Sequence, residues 1–317
     1  MLLKDAINEF IVDRRSLGCK PATLQFYQAR LRESMRFLEG RGVSEVEGIT
    51  RSEVRALFAH LNEQVYEQRL KEATVAAHGR ALRAFCAFCT AEGWMKDNPM
   101  KDRPQVKVPE ELPDTLSLEE IARLLAVCGD DDLGIRDRAL MLLMLDTGLR
   151  AGEVCALTLN DVVLNGDRGE VTVQARSSKN AKERTVPIWT KTVEVIRAWL
   201  EVRPSEAATL FVASDGKKLT VRPLTESGLN QMMRRRAKQA GVNGKRRWCH
   251  IWRHTFAKLY VLGNGRVSGD LETLRRLLGH KSLETVRIYL GFKSEDLEWR
   301  HWELSPVRRL LEKGMSK

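Results

Sequence analysis

The sequence predicts a mainly α chain with a small β-hairpin sheet in its C-terminal half, an α+β fold in two domains. Three observations carry this. Residues 1–97 hold four apolar runs at helical spacing and no run that alternates as a strand does. Residues 98–113 contain Pro99, Pro104, Pro109 and Pro113 without apolar periodicity, which reads as an extended linker. Beyond it, GEVTVQA (169–175) and ERTVPI (183–188) alternate with β-branched residues inside otherwise helical sequence. The expected organisation is 1–97 helical, 98–113 linker and 114–317 mixed.

The elements follow in order. Leu2, Leu3, Ala6, Ile7, Phe10 and Ile11 recur on one helical face. A second helix runs from Thr23 to Leu38 and stops at Gly40. A third opens at Thr50 with Glu53 three residues on, a capping box. A fourth spans Glu72 to Glu92 and stops at Gly93. After the linker, Ser117 with Glu120 repeats the capping pattern. Arg138 to Asp146 is a strongly apolar helix halted at Gly148; Arg150 follows, then a helix through Leu157. Seven residues separate the two strands, so they form a hairpin. From Lys191 onward the pattern reads as helical to the end.

Charge narrows the function. Among 317 residues, 53 Lys and Arg face 42 Asp and Glu, a net charge of +11. That favours a polyanionic partner, most simply nucleic acid. Arg30, Arg32 and Arg36, and Arg80 with Arg83, form basic helical faces that suit either solvent or DNA. No apolar run reaches the ~18 residues of a membrane span, and MLLKDAINEF is no signal peptide. A cytoplasmic protein with no membrane partner is expected. The six cysteines read as reduced. Cys86 and Cys89 form a C-x-x-C, but they lie in an amphipathic helical run, and no second pair completes a metal site. The chain lacks a phosphate loop, a dinucleotide-binding glycine motif, H-E-x-x-H and G-x-S-x-G. An ATPase, dehydrogenase, zinc protease or serine hydrolase is therefore unsupported.

What remains is a set of polar residues beside turns. Arg150 lies in DTGLRAGEV, Lys179 in the hairpin tip RSSKNAKER, and His250 and Arg253 in HIWRHT. His280 lies in LLGHKS and Tyr289 in TVRIYL, nine residues later. Two guanidiniums can clamp the non-bridging oxygens of a phosphodiester and stabilise a pentacoordinate transition state. A lysine can protonate a leaving oxygen. A tyrosine, of unperturbed pKa ~10, attacks well only with cationic neighbours or a base. No metal or other cofactor is needed, because arginines supply the positive charge. Taken singly, each residue has a plainer reading. Arg150 could be a helix-end charge, Lys179 a solvated lysine with Lys182 as its competitor, and His250 or its neighbour His254 a structural histidine. Tyr289 could be a core tyrosine.

Taken together, the set resembles the tyrosine recombinase family of DNA integrases. TGLRAGEVCALTLNDV is similar to the family's first arginine box, KNAKERTVPI to its hairpin lysine box, and HIWRHTFA and LLGHKSLETVRIYL to the boxes that follow. The resemblance covers nearly the whole chain. It implies that 1–97 is a core-binding domain that clamps DNA and that 114–317 is a catalytic domain. It implies a metal- and ATP-independent site-specific recombinase working through a 3′-phosphotyrosine. Arg150 and Arg253 would hold the scissile phosphate, and Lys179 would be the general acid. His250 would transfer protons, His280 would bond the phosphate, and Tyr289 would be the nucleophile. Glu153 would orient the first-box arginine or a histidine.

The implied partners are double-stranded DNA at a core site and three further protomers, with room for an accessory DNA-bending or directionality factor. The setting would be a bacterial, phage or mobile-element nucleoid. The apolar tail after Tyr289, with Phe292, Trp299, Trp302 and Leu310, would dock on its own domain or pack in trans on a neighbour. Two departures stand out. The hairpin tip reads SSKNAK rather than Gly-Lys-Gly, which keeps Lys182 in contention, and residues 262–270 are glycine-rich and longer than usual. Two alternatives remain open. A type IB topoisomerase shares the phosphotyrosine chemistry, and a non-catalytic helical DNA-binding regulator would have no need of Tyr289. An RNA-binding role is poorly supported at 6% aromatic residues.

Overall fold

Helix starts follow the local chemistry. Thr50 accepts a hydrogen bond from the Glu53 N–H at 3.3 Å, and Ser117 and Glu120 exchange both bonds of a capping box. The computed structural model describes residues 1–106, 108, 113–175, 182–244, 248–263 and 269–287. The chain divides into two units, Met1–Glu110 and Glu111–Lys317.

The first unit holds helices α1 (Leu3–Ser16), α2 (Pro21–Glu39), α3 (Arg51–Tyr66) and α4 (Glu72–Ala91). Leu3, Ala6, Ile7, Phe10 and Ile11 are buried as the helical spacing requires. Leu2 is not: it is 52% exposed and forms a bridge to Glu45 ahead of the helix. The Phe10 ring lies edge-on to Tyr27, Phe85 and Phe88, with centroids 5.1–5.7 Å away. Such contacts are each worth about 0.5–1.5 kcal/mol beyond the burial itself. Cys86 and Cys89 are free and buried in α4, and burial pushes both thiols up to about 12. They are core residues, inert as nucleophiles. The expected linker begins as part of this unit. Met100 is buried, and the Arg103 guanidinium lies 4.2 Å from the centre of the Phe58 ring. A single large apolar side chain anchors that stretch, which periodicity cannot register.

The second unit has α5 (Leu118–Ala126), α6 (Asp132–Thr147) and α7 (Ala151–Ala156). A three-stranded antiparallel sheet follows, in the order β1 (Val162–Asn165), β2 (Arg168–Val173) and β3 (Arg184–Ile188). Then come α8 (Thr190–Val202), β4 (Val212–Ser214), β5 (Leu219–Pro223), α9 (Glu226–Gln239), α10 (Trp248–Leu262) and α11 (Leu271–Leu278). A short helical turn, Glu284–Arg287, ends the described chain. In the sheet, Val171 pairs with Val186 and Val173 with Arg184. α6 is the central helix; Leu140, Met141, Leu143 and Met144 join a core with Ile196, Trp199, Phe211 and Trp252.

Three strands contradict the sequence expectation. β1 is a short third strand, turned into β2 through Gly166 at φ +57°. The β4–β5 hairpin interrupts the stretch read as helical from Lys191. β4 is three residues long and β5 buries no residue fully, so neither shows alternation; the turn depends on Asp215, whose carboxylate accepts the N–H groups of Lys217 and Lys218.

Beneath this hairpin, Asp137 is fully buried. It accepts from Arg136 at 2.7 and 3.0 Å and from Arg236 at 2.8 Å. Arg136 also donates to the Val212 carbonyl and Arg236 to the Val127 carbonyl. The network thus ties α6 to α9, to β4 and to the end of α5. Replacing Asp137 by Ala strands buried guanidiniums, so urea melts of D137A are expected to show a loss of about 3–5 kcal/mol.

Candidate active site

The site grows from the end of α6. That helix stops because Gly148 adopts the left-handed conformation at φ +60°. A Cβ here would lie 2.3 Å from Phe256 Cδ1 and 2.9 Å from Leu278 Cδ2, so α10 and α11 pack directly against this turn. Two residues later, Arg150 caps α7. Glu153, one turn into that helix, accepts the Arg150 N–H at 2.9 Å and its Nη1 at 3.0 Å.

Glu153 is 2% exposed and holds a second guanidinium. Arg184 Nη1 and Nη2 reach its two oxygens at 3.1 and 2.7 Å, a bidentate fork. Burial alone would raise the Glu153 pKa, but the hydrogen bond and charge of Arg184, then those of Arg150, bring it below its ordinary value. Arg184 also donates Nε to the Leu277 carbonyl at 2.8 Å. Gly279, left-handed at φ +63°, makes room for it: a Cβ there would lie 3.0 Å from Arg184 Nη1.

Arg253 projects from α10 and is 3% exposed. It donates Nη1 to the Gly148 carbonyl at 2.6 Å and Nη2 to the Leu278 carbonyl at 2.7 Å. Nη2 also lies 2.8 Å from His280 Nε2. Arginine can only donate, so His280 Nε2 accepts in this contact. His280 is held in turn by Arg275, through its N–H and its carbonyl. His250 sits on an exposed face of α10, its ring 6.2 Å from that of His254.

The structure therefore gathers Arg150, Glu153, Arg253 and His280 around the Gly148 turn, while His250 lies on the rim of the same helix as Arg253. Lys182 is exposed just before β3. Lys179, Tyr289, the tail and most of the 262–270 segment lie outside the described residues. Arg184 was missed by sequence reasoning, although a signal was present. In ERTVPI it falls in phase with Val186 and Ile188, the buried face of β3, where a charge needs a buried partner. Among the described residues, no group of three or more His, Cys, Asp or Glu could hold a metal ion, and no helix is long and apolar enough to cross a membrane.

A sequence model of the phage integrase family matches residues 114–295, more than half of the chain. The chain belongs to the phage integrase family. A second model, the phage integrase N-terminal SAM-like domain, matches residues 14–93 of this integrase. The tyrosine recombinase XerC of Proteus mirabilis is 30% identical over 90% of this chain and 88% of its own. The XerC of Neisseria meningitidis serogroup B is 33% identical over 86% and 85%. The family member described here is thus a tyrosine-type site-specific recombinase, an enzyme that cleaves and rejoins DNA. Its fold is shared with XerH recombinase in a post-cleavage complex with palindromic difH substrate, at a TM-score of 0.68 and 22% identity, covering 89% of this chain and 80% of that one. It is shared equally with a lambda integrase dimer bound to a COC′ core site, at a TM-score of 0.70 and 22% identity, covering 92% and 79%.

The lowered Glu153 pKa fixes a pH dependence. A carboxylate whose folded pKa lies below its unfolded value, ~4.3, contributes stability that is complete above that value and is lost as pH falls through the folded one. Thermal melts of the wild type should lose stability on this acid limb. Those of Glu153→Gln should start lower and fall less steeply there.

Proposed function

We propose that this integrase cuts duplex DNA at a core site by forming a 3′-phosphotyrosine at Tyr289. Arg150 and Arg253 hold the scissile phosphate, His280 bonds it, and Glu153 orients Arg150. The observation that carries the reading is the pairing of the Arg150–Glu153 turn with Arg253, which donates to the carbonyl two residues before Arg150. Preorganised donors of this kind stabilise the extra charge of a pentacoordinate phosphorane without reorganising.

In the step, Tyr289 Oη bonds to phosphorus and the P–O5′ bond breaks. The 5′-oxygen takes a proton from the hairpin lysine, Lys179 or its competitor Lys182, and the tyrosine proton passes to His250. One phosphodiester is exchanged for a phosphoester of similar energy, so neither ATP nor a metal enters. A free 5′-hydroxyl from a partner duplex reverses the chemistry and rejoins the strand. Lambda integrase, a solved relative, forms a dimer on a COC′ core site and a tetramer on a Holliday junction. We extend both to this chain, acting at the nucleoid, with its C-terminal tail packing in trans between protomers. The catalytic domain is 114–317, and the core-binding domain, 1–97, clamps the duplex.

Charge in the N-terminal unit supports DNA as its partner. Arg103 is pushed down in pKa by burial and then by the charges of Arg55 and Arg83. Arg83 donates to the Arg103 carbonyl at 2.8 Å. None of the three is ion-paired to a carboxylate among the described residues. Guanidiniums gathered without a counter-ion suit DNA phosphates.

Two measurements test this reading. Wild type incubated with nicked suicide duplexes, without metal or ATP, should give an SDS-resistant adduct that Tyr289→Phe does not; adducts from both would sink the assignment. If a protomer neutralises roughly 6–10 phosphates, raising salt from ~50 to ~200 mM should weaken binding by about 10³–10⁵. Replacing Arg55, Arg83 or Arg103 by Ala should each reduce the salt slope by ~1, and an unchanged slope would count against the cluster as a phosphate site.

A further inference from the structure

We propose that Arg184 is a positioning residue for the general acid: its guanidinium pins the base of the β2–β3 hairpin to Glu153 and to the end of α11. This rests on the reading above, in which a lysine of that hairpin protonates the 5′-oxygen.

At the end of the ladder nearest the hairpin tip, one side chain joins the hairpin to the site. Among the described residues β3 is an edge strand, paired on one side to β2 and on the other to no strand. The ladder with β2 and the buried Val186 and Ile188 set the direction and register of β3. Arg184 is the first residue of β3, at the end of that ladder nearest the hairpin tip, and ties this end to the site. Its two Nη atoms engage the two Glu153 oxygens, and Nε engages the Leu277 carbonyl. Those partners lie beside the two phosphate-binding elements, the Arg150 turn and the segment that leads to His280.

Lys182 is two residues upstream, so it lies within ~7 Å of chain from this anchor, and Lys179 within ~18 Å. A proton donor must come within hydrogen-bond reach of the leaving oxygen, and a misplacement of about 1 Å can cost about a hundredfold. A lysine could neutralise Glu153 but could not supply three directed donors in one plane.

The test separates this role from support of the phosphate-clamping arginines by changing the leaving group. In ordinary DNA, the P–O5′ bond breaks and the 5′-oxygen must be protonated. In DNA with sulfur at the 5′-bridging position, the P–S bond breaks and the thiolate leaves without a proton. Cleavage rates would be measured by adduct formation on both substrates for wild type, Lys179→Ala, Lys182→Ala, Arg184→Gln and Arg184→Lys. Arg184→Lys keeps the charge and guards against a simple folding failure in Arg184→Gln. DNA binding and melting temperature would be measured alongside.

The general-acid lysine variant should slow on oxygen by about 10²–10⁴ and recover on sulfur to within about tenfold of wild type. Both Arg184 variants should slow at least about tenfold on oxygen and recover on sulfur in the same way. Arg184 variants that cleave oxygen at the wild-type rate, or stay slow on sulfur while the lysine variant recovers, overturn the positioning role alone. Recovery of the Arg184 variants only on an uncharged methylphosphonate would place Arg184 with the phosphate clamp and overturn it too. If neither lysine variant recovers on sulfur, the general-acid reading fails first and the role of Arg184 falls with it.

Discussion

A buried carboxylate between two guanidiniums is the interaction on which the site depends. Glu153 is taken out of water and still stays charged, because Arg184 grips it from the sheet and Arg150 from the start of its own helix. One carboxylate does not satisfy the donors of three arginines. Arg184 and Arg253 also donate to backbone carbonyls of one kind, those at helix C-termini. Gly148 ends α6 and takes Arg253, while Leu277 and Leu278 end α11 and take Arg184 and Arg253. These carbonyls have no partner within their helices and carry the negative pole of the helix dipole. Both helices stop at left-handed glycines, so the glycines and the arginines are two parts of one arrangement.

The balance of charge follows from that arrangement. Arg150 and Arg184 hold one carboxylate, and Arg253 lies against the same Gly148 turn, bonded to His280. The cluster is therefore net positive before anything binds, and its donors are held by packing rather than by solvent. Such a site stabilises negative charge without first rearranging. It also means that a change in Glu153 or Arg184 is felt across β3, α7 and α11 together, because each contributes to the same set of bonds.

Much of this was legible in the sequence. The helix starts at Thr50 and Ser117 and the stops at Gly93 and Gly148 follow from capping and left-handed turn chemistry, which is local; α2 ends at a right-handed Gly40, and the left-handed turn comes two residues later at Gly42. The β2–β3 hairpin was readable because both strands alternate buried and exposed β-branched residues. β1, β4 and β5 were not: β1 and β4 are three to four residues long, and β5 buries no residue fully, so it shows no alternation. At the site, Arg150, Arg253 and His280 could be picked out because they stand beside turns and in boxes. Arg184 could not be picked out the same way. Its partners are 31 and 93 residues away, and only its phase in the strand marked it as facing inward. Met100 illustrates the same limit in the N-terminal unit: one anchoring side chain in a proline-rich stretch leaves no pattern.

The separation of the site's parts along the chain has a consequence for synthesis. Arg253 closes on Gly148 across 105 residues and Arg184 on Leu277 across 93. A ribosome adding 5–20 residues per second takes on the order of ten seconds to cover such a stretch. Through that interval the Gly148 turn and Arg150 are already made while the side chains that complete the pocket are not. A truncated or half-translated chain holds only a fragment of the arginine pocket. The capacity to break a DNA strand is thus withheld from incomplete products by the order in which the residues are made.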